Sequence, residues 1–348
     1  MPDGTVSKAA TRSNDVRPRP RYIESLRRAV RDPAELLRRV GLADGPEGRR
    51  RLAEARVAAS SFRVMVPESY LARMAYGDPD DPLLRQVLPV GDEQADRPDF
   101  VDDPVGDGAV RAAPGLLHKY EGRVLLVTTG ACAVHCRYCF RRHYPYADEP
   151  GGAEAWRPAF DYVAADRSVR EVILSGGDPL MLSDGRLEEM FARIDAIGHV
   201  ERVRLHSRLP IVLPDRVTDR LLDLFASARP RVVFVTHANH ARELMDDCAD
   251  ALRRLSASTA TVLNQAVLLR QVNDSVDALA NLSERLFDHG VLPYYLHQLD
   301  RVAGAAHFEV PERVGLDLVE RLRGRLPGYL VPTYVRETAG EPSNTPVE

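Results

Sequence analysis

Short β-branched runs recur along the middle of the chain: RVLLVT at 123–128, EVILS at 171–175, ERVRL at 201–205, RVVFVT at 231–236, TVLNQAVL at 261–268 and VLPYYL at 291–296. Between them, stretches such as GRLEEMFARIDAI, TDRLLDLFASA and DALANLSERLFDHG repeat their apolar residues every three to four positions, which predicts helices. Six β-then-α units predict an α/β protein with a parallel sheet and its helices outside. Right-handed crossovers then curl the sheet into a partial (β/α)6 barrel. In such sheets the reactive groups sit at the carboxyl ends of the strands.

Upstream, YIESLRRAV, PAELLRRVGL and GRRRLAEARVA have helical spacing and predict an N-terminal helical arm, followed over 77–107 by an irregular connection dense in Asp, Pro and Gly. The organisation expected is a disordered tail over 1–21, arm and connection over 22–110, barrel over 111–303, and a C-terminal segment over 304–348 that closes the active site.

Composition narrows the partners. The 348 residues are 44% hydrophobic and 28% charged, enough for one large core or two modest ones. No apolar run of about 18 residues occurs, and MPDGTVSKAATRSNDVRPRPRY lacks a signal-peptide core, so a cytoplasmic protein with no membrane partner is expected. A net charge of −4 argues against nucleic acid. Of 47 basic residues only Lys8 and Lys119 are lysine, so chemistry that needs a primary amine has two places to look.

Three of the four cysteines fall within TGACAVHCRYCFRR, residues 129–142, directly after the first of the six strands. Thiolates so bunched suit a metal better than a disulfide framework. A closed zinc site wants a fourth ligand, and His135 is awkward because it adjoins Cys136. Three thiolates on a four-iron cluster instead leave one iron open to a substrate or cofactor. SGGDPL, residues 175–180, leaves the second strand with two glycines that serve either a tight turn or close approach to a ligand. Cys248, within a helical stretch, reads as a small buried residue, and His237 and His240 in THANH as hydrogen-bonded groups lining the site.

The CxxxCxxC spacing at this place resembles the radical S-adenosylmethionine (SAM) superfamily. HKYEGRVLLVTTGACAVHCRYCFRRHYPY, SGGDPL, RLHSRLPIVLP, HANH, LNQAVLLRQVND, PYYLHQLDRVAGAAHF and GYLVPTYVRETAGEPSNTP occur in the order seen in the lysine 2,3-aminomutase family. The closest look is to the branch that makes (R)-β-lysine for elongation factor P, from about Phe62 to the C-terminus. The resemblance implies a [4Fe-4S] cluster on Cys132, Cys136 and Cys139, and SAM contacts from Tyr138, Ser175, Gly176, Gly177 and Asp178. It also implies that a 5′-deoxyadenosyl radical abstracts hydrogen from the substrate. Arg141 matches the clamp on the substrate carboxylate, and Asp300 and Glu337 the carboxylates that receive the distal cation of a lysine- or arginine-like amino acid. The resemblance further implies flavodoxin or ferredoxin as electron donor and admits a homo-oligomer; it names no side-chain base.

The pattern breaks at one place. Family members hold pyridoxal phosphate (PLP) as a Schiff base on a lysine within a stretch ending K-T-P, and ungapped alignment puts Asn344 there. Lys119 falls beside a position that helps hold the PLP phosphate. Three readings stay open: a radical SAM enzyme of this family working without covalent PLP, an aminomutase that binds PLP non-covalently, and a degenerate paralogue without turnover.

Overall fold

The computed structural model describes residues 20–149 and 153–348. The tail expected to be disordered falls outside the described residues up to position 19, and a helix, Arg21–Arg28, already begins at Arg21. Among the described residues ten strands form one sheet in sequence order: β1 (Arg111–Ala113), β2 (Leu116–Tyr120), β3 (Arg123–Val127), β4 (Glu171–Ser175), β5 (Arg202–His206), β6 (Arg231–Thr236), β7 (Thr261–Val267), β8 (Val291–His297), β9 (Thr333–Arg336) and β10 (Thr345–Pro346). β3 through β9 run parallel, each beside its successor. β1 and β10 do not pair, so the barrel stays open.

All six expected strands form, and a helix of nine or more residues lies in each of the crossovers from β3 to β9: Arg157–Ala165, Asp184–Asp195, Asp219–Ser227, Asp247–Ser258, Val276–Asp288 and Glu312–Arg323, with a further single turn, Leu209–Val212, between β5 and β6. Three of these begin at hydroxyl caps, where Ser183, Thr218 and Ser275 accept from the backbone N–H three residues on. The sheet is longer than the six expected strands because β1–β2 extend one edge and β9–β10 the other. A signal for β2 was present: LLHKY and RVLLV are separated by Glu121-Gly122, a two-residue hairpin connection with Gly122 at φ +73°.

Strand alternation decides what the barrel encloses. In β5, Val203 and Leu205 are buried beneath the helices while Arg204 and His206 face inward; in β7, Val262 and Ala266 face the helices and Gln265 faces inward. An interior lined by such polar groups is a ligand cavity rather than a filled core.

The N-terminal arm braces the loop after β3. Arg137 is fully buried there, donating through Nε to Glu93 at 2.8 Å and through Nη1 to the Phe62 carbonyl at 2.7 Å. Arg142 donates to the same Glu93 at 2.8 Å, and the backbone N–H of His135 bonds the Met65 carbonyl. Removing Glu93 would leave two buried guanidinium groups uncompensated.

Candidate active site

A cavity of about 470 Å3 opens at the carboxyl ends of the strands. Its size suits a small-molecule site. The loop after β3 brings Cys132, Cys136, Tyr138, Cys139 and Arg141 to its wall, and the β4 loop brings Ser175, Gly176, Gly177 and Asp178. Lys119 comes from β2, Asp300 from the loop after β8, and Glu337 and Asn344 from the turn between β9 and β10. Residues more than 200 positions apart in sequence thus share one space. His237 lines it too, whereas His240 lies outside and accepts from the Arg242 N–H at 3.2 Å as a turn cap.

The three cysteines are half-buried and carry no disulfide. Burial, Cys139, Asp178 and Cys136 push the Cys132 thiol well up. Burial and Cys136 push Cys139 up to about 11, against the opposing effect of nearby Arg141 and Arg142. Cys132 and Cys139 resist ionising, so a cationic centre is needed to hold them as thiolates. Among the described residues no three His, Cys, Asp or Glu groups converge on a single metal-ion position. His135 directs Nδ1 to the Arg63 carbonyl at 3.0 Å, which occupies it elsewhere than as a fourth ligand. A four-iron cluster takes its thiolates on separate irons, so the cysteine loop fits it.

The glycine pair has a structural task. A Cβ on Gly177 would meet the Ala131 carbonyl oxygen at 2.5 Å, and one on Gly176, at φ +118°, the Thr129 carbonyl oxygen at 2.8 Å. Gly177 N–H donates to Thr129 at 2.6 Å and Asp178 N–H to Ala131 at 2.9 Å. The glycines therefore let the β4 loop lie directly against the cysteine loop. The buried Asp178 carboxylate accepts from Ser207 Oγ, Leu180 N–H and Arg208 N–H at 2.7, 3.0 and 2.8 Å, so it bridges the loops after β4 and β5. The Tyr138 hydroxyl is likewise engaged, with His237 Nε2 at 2.9 Å and the Asn239 amide at 2.8 Å.

Arg141 is buried and fixed by a residue the sequence reading missed. Its Nε donates to Asp107 Oδ2 at 2.7 Å and its Nη1 to Ser175 Oγ at 3.3 Å. Asp107 arrives from the irregular connection, and no local pattern links it to the cysteine loop.

The opposite charge gathers around Glu337. Lys119 Nζ donates to Glu337 Oε1 at 2.7 Å and to the Val105 carbonyl at 2.9 Å. The Tyr120 hydroxyl reaches Glu337 Oε1 and Asn344 Oδ1, both at 3.3 Å. Burial, and then Glu337, push the Asp300 carboxyl up to about 8. Two histidines that the sequence reading did not single out also line the cavity. Burial, with Arg204 and Arg141 nearby, holds His206 well below its ordinary value, and burial holds His297 at about 4, so both are neutral at pH 7.

PLP held covalently does not fit this set. An imine needs a primary amine, Asn344 offers an amide, and Lys119 is engaged by Glu337 and Val105.

An open β/α barrel whose first parallel strand delivers CxxxCxxC to the cavity defines a radical SAM protein, and the model of the Radical SAM superfamily matches residues 126–291. The chain is 46% identical over 327 residues to L-lysine 2,3-aminomutase of Escherichia coli (strain K12), covering 94% of each chain. It is 41% identical to the Haemophilus influenzae protein of that name, over 95% of this chain and 96% of the relative, and 38% identical to that of Clostridium subterminale, over 82% and 69%. The chain belongs to the lysine 2,3-aminomutase family of radical SAM enzymes. Its family cofactors are a [4Fe-4S] cluster and SAM. No helix among the described residues is long and apolar enough to cross a membrane.

Proposed function

We propose that this enzyme acts on an α-amino acid with a cationic side chain and does so without covalently held PLP. The observation that carries the reading is that Arg141, Asp300 and Glu337 line one cavity with the three cysteines. A guanidinium suits the substrate carboxylate, and two converging carboxylates favour a distal cation over a neutral or acidic group.

Cys132, Cys136 and Cys139 would hold the cluster, which with SAM would supply one-electron reduction and hydrogen-atom abstraction. The chain's own groups do the rest. Asp107 orients Arg141, Lys119 and Tyr120 keep Glu337 in place, and Asp300 yields its proton when a cation arrives. Residues 304–348 act as the closing segment, since β9 and β10 carry Glu337 and Asn344 to the cavity. A flavodoxin or ferredoxin serves as electron donor in the cytoplasm.

One observation favours a second reading, an aminomutase with non-covalent PLP. Arg123 lines the cavity beside Tyr120, 4.5 Å from its ring centroid, and takes part in none of the ion pairs of the described residues, so it is available to an anion such as a phosphate.

Anaerobic turnover of the iron-reconstituted protein with SAM, reductant and L-lysine or L-arginine, with and without PLP, separates the readings by mass spectrometry. Deoxyadenosine with the same product and yield in both arms supports the first. A β-amino acid formed only with PLP selects the second, and no deoxyadenosine in either arm points to a degenerate chain.

A further inference from the structure

Arg208, two residues beyond the end of β5, is a buried cation that the substrate reading does not use. Its Nη1 donates to Cys136 Sγ at 2.7 Å. Its Nη2 donates to Glu243 Oε2 at 2.8 Å, to Gln86 Oε1 at 2.7 Å and to the Tyr70 hydroxyl at 3.3 Å. The rings of Tyr70 and Tyr138 lie 5.5 and 5.6 Å from the guanidinium carbon.

The surroundings hold this group in one orientation. Glu243 is fully buried, and its Oε1 accepts from the backbone N–H of Asn239 and of His240 and from the Gln86 amide, at 2.9, 3.0 and 3.1 Å. The Arg208–Glu243 pair is therefore electrically balanced and anchored on both sides. Arg208 Nε has no partner among the described residues, and Nη1 aims an N–H at a cysteine sulfur. A neutral thiol is a weak acceptor for so buried a cation, whereas a thiolate that ligates iron is a strong one, and its negative charge grows when the cluster gains an electron.

We propose that Arg208 is a redox-tuning residue: its hydrogen bond to Cys136 stabilises the reduced cluster and raises the reduction potential, easing electron entry. The inference rests on the cluster reading of Cys132, Cys136 and Cys139. It follows from the general rule that hydrogen bonds to the sulfurs and local charge set cluster potentials. One electron comes from an external donor of the flavodoxin or ferredoxin class. No bond forms or breaks at Arg208, and its proton stays on the guanidinium.

The test is an anaerobic, EPR-monitored redox titration of reconstituted wild type, Arg208→Gln, Arg208→Lys and Glu243→Gln without SAM, with iron and labile sulfide measured for each. Arg208→Gln should lower the ratio of reduced to oxidised cluster at fixed potential about tenfold, equivalent to about 59 mV for a one-electron couple. Arg208→Lys should fall between it and wild type, because it keeps the charge and loses the fork. Glu243→Gln leaves the guanidinium unbalanced and should shift the midpoint in the opposite direction, whereas a merely structural role would move all three variants the same way. Wild-type midpoints in iron-replete variants overturn the proposal. Should the variants fail to hold a cluster, pulsed EPR of reduced wild type carrying 15N-guanidino arginine decides, since absence of a 15N coupling also overturns it.

Discussion

Lys119 and Glu337 meet at 2.7 Å across 218 positions of sequence, tying β2 to the residue that follows β9. The pair joins the two edges that extend the six-unit barrel, and it is mostly shielded, with the side chains 9% and 22% exposed. Lys119→Met would leave Glu337 facing Asp300 with only the Tyr120 hydroxyl as partner, and should destabilise the fold by about 2 kcal/mol. Lys119→Met/Glu337→Gln should recover more than half of that loss, because the charge left behind is then gone. Thermal unfolding of the four proteins of this cycle measures both effects.

Asp300 sets a pH dependence whose sign is fixed by its environment. Its folded-state value of about 8 lies above the ordinary carboxylate range, so the carboxyl is mostly protonated at pH 7. A cationic side chain favours the ionised form, and binding should therefore release close to one proton at pH 7. Affinity for L-lysine should rise about tenfold per pH unit between pH 5 and 7 and level off above about pH 8. Titration calorimetry in buffers of different ionisation heat counts the proton, and Asp300→Asn should abolish both release and slope. In the free protein the stability contributed by this group is complete below about pH 4 and is lost as pH rises through about 8.

The glycine pair separates two accounts of SGGDPL. If these residues chiefly face SAM, Gly177→Ala should load iron normally and bind SAM poorly. The Cβ position argues otherwise: it lies 2.5 Å from the Ala131 oxygen and 2.8 Å from the Gly130 carbonyl carbon, both backbone atoms of the cysteine loop. Gly177→Ala should keep wild-type helical content while its iron per chain falls to about half or less, because the displaced loop misplaces Cys132. Iron and labile sulfide analysis after reconstitution decides between them.

Much of this was legible because it is periodic or local. β-branched runs gave β3 to β8, and three cysteines in eight residues marked a loop that lines the cavity. Cys248 is fully buried in its helix, as its surroundings in sequence indicated. What escaped depends on how the sheet curves. Asp107 reaches Arg141 only because the connection before β1 folds over the barrel mouth, and Arg208 reaches Cys136 only because β5 ends two strands away from β3. Neither contact leaves a spacing that a sequence pattern could register. β9 and β10 are too short, at four and two residues, to carry an alternation of their own.

Asn344 offers the sharpest test of what the family's chemistry has become. Its side chain lines the cavity with Oδ1 3.3 Å from the Tyr120 hydroxyl, so a longer side chain at this position enters the same space. Asn344→Lys supplies an amine there, and with PLP followed by borohydride it should acquire a covalent adduct, located by peptide mass to position 344. Wild type should acquire none. Lys119 is the competing site, but its amine is engaged by Glu337 and by the Val105 carbonyl. An adduct on wild-type Lys119 would therefore overturn the reading that the enzyme works without covalent PLP. If only the variant is labelled and it gains a β-amino acid product that wild type does not form, the change at position 344 is by itself what divides this chain's chemistry from that of its aminomutase relatives.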